Sequence, residues 1–186
     1  MEVQPGLFLG GRTAAHSLRF LNENGITHIL NVAMEVENKY EHSEEGITYK
    51  KLFLDDSTDQ RLCFPVEFIV DAIRNGGRVL VHCQAGASRS ASVVLGFLMK
   101  SQQISLKDAW VKVFDKKSDI SPNPYFLEHL YELDEAMFGS RSFNRDEFLQ
   151  LALESMGFAS ESVATALQTY QMNYNNALTS LLSQTQ

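Results

Sequence analysis

Apolar positions along the first 140 residues fall into two patterns: short unbroken runs, and longer runs spaced as on one face of a helix. The short runs are rich in β-branched residues and follow glycine, as buried strands do; they cover residues 26–33, 47–54 and 76–83. The helical spacing covers residues 64–73, 88–100, 105–114 and 126–138. Because strands alternate with helices, this part of the chain predicts an α/β domain.

The pattern changes after position 138, where FGSRSFNR is small and polar and predicts a boundary, with a linker at residues 141–145. The remaining 146–186 segment carries no strand pattern. It holds three short helical runs separated by glycine or asparagine breaks: DEFLQLALES, SESVATALQTY and NYNNALTSLLS. We therefore expect a first domain over residues 1–140 and a small three-helix bundle over residues 146–186, a size near the lower limit for independent folding.

Composition narrows the classes of function. The 186 residues are 44% hydrophobic and 21% charged, as in a folded globular protein, and the formal net charge is −7 without a dense lysine or arginine cluster, so nucleic acid is not an expected partner. No apolar run approaches the roughly 20 residues that cross a bilayer, so we expect no membrane partner and a cytoplasmic or nuclear location. The two cysteines and five histidines show no metal-ligand spacing, and no metal or cofactor is expected.

The candidate chemistry lies in VLVHCQAGASRS, where a strand ends near His82 and a helix begins near Arg89. A cysteine thiol reacts as the thiolate, which a helix N-terminus and a nearby cation stabilise, and Cys83 occupies such a position. Small side chains leave the intervening loop open, so the amides of residues 84–89 could converge on an anion. An Arg89 guanidinium can bind two oxygens of that anion, and together these features predict in-line attack of sulfur on phosphorus.

HCQAGASRS matches the HCxxGxxR(S/T) signature of cysteine-dependent protein phosphatases. The first domain further resembles the small, atypical dual-specificity phosphatases, in which QPGLFLGG, GITHILNVA, FLDDSTDQRL and SPNPYFLEHL recur in this order. The resemblance implies a central, mostly parallel sheet flanked by helices, with the signature between a strand and a helix. It also implies hydrolysis of phosphotyrosine and of phosphoserine or phosphothreonine in phosphoproteins through a phosphocysteine intermediate.

The resemblance also assigns roles to residues. Cys83 would be the nucleophile, and Ser90 would steady its thiolate and assist breakdown of the intermediate. His82 would pack beneath the loop, and Asn123 in SPNP would brace it. The phosphate-binding residues would be Gln84, Ala85, Gly86, Ala87, Ser88 and Arg89. Because the loop side chains are small and neutral, inositol lipids are disfavoured as substrates.

The general acid should come from FLDDSTDQRL, which offers Asp55, Asp56 and Asp59. Asp56 stands six residues before Leu62, which is the family spacing, and Asp55 is the alternative. A different class of function is a phosphoprotein-binding module that no longer turns over, although the nucleophile, arginine and acid are all present. Cys63 is expected to be a small buried hydrophobe rather than a partner for oxidised Cys83.

The C-terminal segment is similar to the ubiquitin-associated domain, a compact three-helix fold. In that family a Met-Gly-Phe loop and the last helix bind ubiquitin, which here implies a patch of Met156, Gly157, Phe158, Leu181 and Leu182. The alternative is a helical appendage that packs on the phosphatase domain or on a second copy of the chain. Phosphoproteins and ubiquitin or ubiquitylated proteins are thus the expected partners, and the sequence leaves the oligomeric state open.

Overall fold

A computed structural model describes residues 1–56 and 60–184. Within them, one five-stranded sheet has the order β1-β2-β5-β3-β4, and every neighbouring pair is parallel except β1 and β2. The strands are β1 (Glu2–Gln4), β2 (Leu7–Gly10), β3 (His28–Asn31), β4 (Thr48–Lys51) and β5 (Val79–His82). The expected mostly parallel sheet is confirmed, and β3, β4 and β5 lie inside the three runs that predicted strands.

Helices follow the predicted positions in the first domain, and two short ones near the start were not anticipated. The helices are α1 (Arg12–Ala15), α2 (Leu18–Glu23), α3 (Val66–Arg74), α4 (Arg89–Gln102), α5 (Leu106–Phe114) and α6 (Pro124–Phe138). Strands β1 and β2 were also missed. They have three and four residues, and a run this short carries no periodicity that separates a strand from a loop.

The register of the sheet brings three loops together. His82, the last residue of the central strand β5, is the register partner of Gly10 at the end of β2 and of Asn31 at the end of β3. Because these strands are parallel, the segments that follow them leave the same edge of the sheet. Ligands of open α/β sheets bind at this carboxyl edge. The predicted phosphate-binding residues 84–89, called the phosphate loop below, leave the same edge after β5.

Helix α4 is the centre of the first domain. It is buried from Arg89 to Met99 because it packs on β5 and β2 on one side and on α5 and α6 on the other. A helix that is covered on several sides is apolar over most of its surface, and SASVVLGFLM fits this rule. The loop of residues 84–89 is therefore anchored at its helical end by a helix that is buried over its first eleven residues.

Residues 145–184 fold into the three predicted helices α7 (Arg145–Glu154), α8 (Ser160–Thr169) and α9 (Tyr174–Gln184). Their buried side chains belong to the same apolar core as the first domain. Aromatic pairs join the two parts: Phe143 lies 4.8 Å from Trp110 between ring centroids, and Phe114 lies 5.0 Å from Phe148 and 4.9 Å from Tyr174. The segment expected as a linker is thus packed on the first domain, and Phe143 within it is buried.

One expectation about side-chain burial was wrong. Cys63 is exposed, because it lies in the extended stretch before α3 and its neighbour Leu62 enters the core instead. None of the helices in the described part of the chain is both long and apolar enough to cross a membrane.

Candidate active site

The loop between β5 and α4 wraps around the sulfur of Cys83. The backbone N–H of Gly86 donates to Cys83 Sγ at 3.2 Å, and the Ser90 hydroxyl lies 3.2 Å from the same atom. Both Cys83 and Ser90 are buried. The structure therefore places Ser90 beside the sulfur, as the sequence predicted, and adds the Gly86 amide as a donor to it.

The turn of the loop depends on glycine at two positions, Gly86 and Gly11. Gly86 has φ +83°, and a Cβ atom there would lie 2.6 Å from the carbonyl carbon of Gly10. A Cβ atom on Gly11 would lie 2.8 Å from the oxygen of Ala85. The loop can therefore rest on the backbone after β2 only because side chains are absent from both segments. Gly10, the last residue of β2, and Gly11 were not given a role from the sequence, because β2 itself was not recognised there.

Arg89 projects from the first turn of α4 and meets an acidic residue that the sequence analysis did not single out. Its Nη1 and Nη2 atoms donate to the two carboxylate oxygens of Glu35 at 2.6 and 2.7 Å, and Nη1 also donates to the Leu54 carbonyl at 3.1 Å. The Arg89 side chain is only 6% exposed. Its Nε has no hydrogen-bond acceptor among the described residues and lies 3.8 Å from Asp56 Oδ2. Arg89 Nε is thus a buried donor without an acceptor among the described residues, beside the acidic group of Asp56.

Asn31 explains how Glu35 reaches Arg89. The Asn31 side chain donates to the Val36 carbonyl at 2.6 Å and accepts from the Ala33 amide at 3.0 Å, which folds the segment after β3 into a tight turn. The signal for Glu35 was an acidic residue four positions beyond a buried strand of the sheet, at the edge where the parallel strands end. Such a contact joins positions 54 residues apart and has no local pattern.

The ion pair fixes the charge of both partners. Hydrogen bonds from Arg89 hold the pKa of Glu35 below its usual range, although burial acts in the opposite direction. Burial acts to lower the pKa of Arg89, but the hydrogen bonds to Glu35 and the neighbouring acidic groups raise it above its ordinary value. The guanidinium is therefore positively charged at neutral pH.

Asp56 is the carboxylate that the structure connects to the loop. Ser88 Oγ donates to Asp56 Oδ1 at 2.5 Å, and the Asn123 side-chain amide donates to the Asp56 carbonyl and to Oδ1, each at 3.0 Å. Asp55 also lines the cavity, and its backbone N–H donates to Gln60 Oε1 at 2.8 Å. Asp59 lies outside the described residues. The assignment of Asp56 as the acid stays a prediction, which these contacts support.

Asn123 links three elements. Its side-chain oxygen accepts from the Phe126 amide at 2.8 Å and so caps α6, while its backbone N–H donates to Ser88 Oγ at 3.0 Å. Two residues earlier, the Ser121 amide donates to the carbonyl of Ala87 in the loop at 2.8 Å. The bracing position that the sequence predicted for Asn123 is found, and Ser121 is an additional contact.

His82 lies under the loop as expected. The ring is buried, and Nδ1 donates to the carbonyl of Cys83 at 3.3 Å. Burial lowers the pKa of His82 to about 4, so the imidazole is neutral at neutral pH. A neutral, buried ring that holds the backbone of the nucleophile has a structural role.

A cavity of about 530 Å³ lies beside the loop at the carboxyl edge of the sheet. Its lining residues are Met34, Glu35, Asp55, Asp56, Ser88, Arg89, Ser121 and Asn123. The loop residues Gln84 and Ala85 are exposed, and Gly86 is buried. Among the described residues no group of three or more His, Cys, Asp or Glu side chains is placed to hold a metal ion.

Comparison with known proteins agrees with this geometry. The family described as dual specificity phosphatase, catalytic domain, matches residues 7–136. The chain belongs to this family. Dual specificity protein phosphatase 19 of Mus musculus is 41% identical over 134 residues, which cover 69% of this chain and 59% of the relative. Human dual specificity protein phosphatase 7 is 38% identical over 74% of this chain and 33% of its own length. The chain thus spans between one third and three fifths of these two relatives.

Solved structures give the same result for the phosphatase domain. The crystal structure of human DUSP28 has a TM-score of 0.66 at 29% identity and covers 74% of this chain and 97% of that chain. The human tyrosine phosphatase-like serine/threonine/tyrosine-interacting protein has a TM-score of 0.65 at 33% identity, covering 75% of this chain and 97% of that chain. Helices α7 to α9 lie beyond the residues that the phosphatase family matches.

The residues predicted to bind ubiquitin separate into exposed and buried groups. Met156 and Leu182 are 52% and 50% exposed, Gly157 is exposed with φ +93°, and Phe158 is partly buried. Leu181 is only 2% exposed, so its inclusion in a surface patch was wrong. It faces the core of the three helices, because neighbouring residues on a helix point in directions about 100° apart.

Proposed function

We propose that the protein is a phosphatase that removes phosphate from phosphotyrosine and from phosphoserine or phosphothreonine in proteins. The observation that carries the proposal is the position of Cys83 Sγ, hydrogen-bonded by Gly86 N–H and next to Ser90 in a loop that also presents Arg89. In the first step the thiolate forms a bond to phosphorus while the bond from phosphorus to the leaving oxygen breaks. Asp56 donates its proton to that oxygen, and Arg89 and the loop amides stabilise the phosphoryl group.

The second step returns the enzyme to its starting state. A water molecule attacks phosphorus in the phosphocysteine, the Asp56 carboxylate accepts a proton from this water, and the bond from sulfur to phosphorus breaks. Inorganic phosphate leaves, and the Cys83 thiolate is stabilised again by Ser90 and Gly86. Protons balance over the cycle, because the proton that Asp56 gives to the leaving group is replaced by the proton it takes from water.

The test of this activity uses three peptides of one sequence that carry phosphotyrosine, phosphoserine or phosphothreonine at the same position. We expect the chain to release inorganic phosphate from all three, since the described residues that line the cavity include no aromatic side chain that would deepen it for phosphotyrosine alone. Release from the phosphotyrosine peptide alone would restrict the proposal to tyrosine phosphatase activity. Binding of the peptides without any release would favour the alternative, a phosphoprotein-binding module that is catalytically silent.

We also infer that the C-terminal helices bind ubiquitin. The support is the exposed Met156 and Leu182, together with the Met156 sulfur that accepts from the Tyr174 hydroxyl at 3.6 Å and so links the Met-Gly-Phe turn to α9. A large exposed apolar side chain at a turn is typical of a contact surface. A patch of this size supports only weak binding, so the interaction would bring the phosphatase to ubiquitylated proteins without holding it there.

Titration of isotope-labelled ubiquitin with the full chain tests this binding. We expect chemical-shift changes on ubiquitin that disappear when Met156→Glu replaces the wild type. Leu151→Glu is the matched control, because Leu151 is 64% exposed on α7 and lies outside the predicted patch. If ubiquitin does not respond to the wild-type chain, or responds equally to both variants, the patch does not bind it.

A further inference from the structure

The segment between α5 and α6, residues 115–123, contacts the phosphate loop, residues 84–89, and the segment that carries Asp56. Ser121 N–H holds the Ala87 carbonyl of the phosphate loop, and Asn123 holds Ser88 through its backbone and Asp56 through its side chain. The position of the general acid relative to the phosphate loop therefore depends on where this segment lies. We call residues 121–123 the bracing segment.

The C-terminal helices hold the bracing segment from the other side. Arg145, the first residue of α7, donates from Nη2 to Ser121 Oγ at 3.3 Å and to the Met172 carbonyl at 3.0 Å. Its backbone N–H donates to the Tyr131 hydroxyl on α6 at 3.3 Å. Near the start of the same connection, Ser118 Oγ donates to the Asn175 side chain of α9 at 3.3 Å. Arg145 thus connects the bracing segment and the turn before α9 through its side chain, and α6 through its backbone.

Arg145 is an unusual residue to place at such a junction. Its side chain is 14% exposed, and the nearest carboxylate, Asp146, lies 3.6 Å away and is largely in solvent. Burial lowers the pKa of the guanidinium, which shows that removing it from water is costly. A buried cation whose main partners are a hydroxyl and a carbonyl contributes little to stability, and its value lies in fixing one arrangement of the groups around it.

We propose that Arg145 is a positioning residue for the reaction, through which α7 to α9 hold the bracing segment and hence Asp56 in place. The inference rests on the proposed phosphatase function. It connects the helices outside the matched family to the proton donor by a short path: Arg145 to Ser121, along the backbone to Asn123, and from its amide to the Asp56 carboxylate. Displacement of a catalytic group by about 1 Å can lower a rate by about 10²-fold.

The test compares two substrates that differ in their need for the acid. Phenyl phosphate has a leaving group as basic as tyrosine and depends on proton donation, whereas p-nitrophenyl phosphate has a much better leaving group. For Arg145→Met we expect kcat on phenyl phosphate to fall by about tenfold or more, while kcat on p-nitrophenyl phosphate changes by less than about threefold. Arg145→Lys, which keeps the charge and one donor direction, should recover part of the loss.

Arg141→Met is the matched control. Arg141 lies four positions before Arg145, between α6 and α7, and it pairs with Glu128 and Glu135 on α6. We expect this variant to keep both rates. Equal losses on both substrates for Arg145→Met, or no loss on either, would overturn the positioning role. A wild-type chain without activity would instead remove the proposed function, and this inference with it.

Ser121→Ala keeps the test decisive should Arg145→Met not fold. It removes the hydroxyl that Arg145 contacts and leaves the backbone hydrogen bond to Ala87 in place. We expect the same selective loss on phenyl phosphate and, in the Arg145→Met and Ser121→Ala double variant, less than additive effects. A folded Ser121→Ala chain with unchanged rates on both substrates would contradict the proposal.

Discussion

Replacement of Cys83 by serine is expected to lower kcat on p-nitrophenyl phosphate by at least about 10⁴-fold, because the nucleophile of a covalent mechanism has no substitute in the site. A serine hydroxyl stays protonated near neutral pH, and the donors around this position, Gly86 N–H and the Ser90 hydroxyl, stabilise an anion that serine does not form. The measurement is steady-state hydrolysis of p-nitrophenyl phosphate by wild type and variant at equal concentrations.

The chain offers its own control for this substitution. Cys63→Ser makes the same chemical change at the other cysteine, which is exposed and has no part in the loop. This variant should retain wild-type activity. Loss of activity in Cys63→Ser, or its retention in Cys83→Ser, would show that the nucleophile has been assigned to the wrong residue. Retained binding of a phosphotyrosine peptide by Cys83→Ser would show that the loop still folds around the anion.

Replacement of Asp56 by asparagine is expected to lower kcat by about 10²- to 10³-fold, the usual contribution of general acid–base catalysis. The basic side of the pH–rate profile should flatten at the same time, because asparagine has no proton whose loss stops the reaction as the pH rises. Asparagine can still accept from Ser88 and Asn123 through its oxygen, so the loops keep their contacts. The pH–rate profile for phenyl phosphate, whose leaving group depends on proton donation, measures both effects.

Asp55→Asn decides between the adjacent carboxylates. Asp55 lines the same cavity, but the hydrogen bonds from Ser88 and Asn123 go to Asp56. We expect Asp55→Asn to keep the basic limb and to lose less rate than Asp56→Asn. The opposite result would make Asp55 the acid and would require the 55–56 turn to rearrange before the reaction.

Functional residues that lie close together in the sequence could be predicted from it. Cys83, Gly86, Arg89 and Ser90 lie within eight positions between a strand and a helix, so their spacing alone predicts an anion-binding loop. Glu35 and Ser121 escaped notice because they reach the loop from separate segments, and only the fold shows that these segments meet. A contact of this kind depends on the register of the sheet and on helix packing, which a single sequence does not encode locally.

The same limit applies to burial and to the C-terminal helices. The three helices of residues 145–184 were predicted from their periodicity. Their contacts with the first domain were not, because Phe143 and Phe148 meet Trp110 and Phe114 about 30 positions away and leave no local pattern. Cys63 was misjudged because a lone cysteine has no pattern, and cysteine is on average among the most buried residues.

The aromatic contacts between α5 and the C-terminal segment have a mechanical consequence. Each such ring pair contributes on the order of 1 kcal/mol, and Trp110 is completely buried beneath Phe143 and Phe148. Separating α7 from the catalytic domain would expose an apolar surface to water. Helices α7 to α9 therefore do not move as an independent domain on a flexible linker. A force applied to the outer surface of α7 to α9 by a bound partner would therefore act on the core of the catalytic domain. A chain truncated near residue 140 would expose Trp110 to solvent and would tend to self-associate.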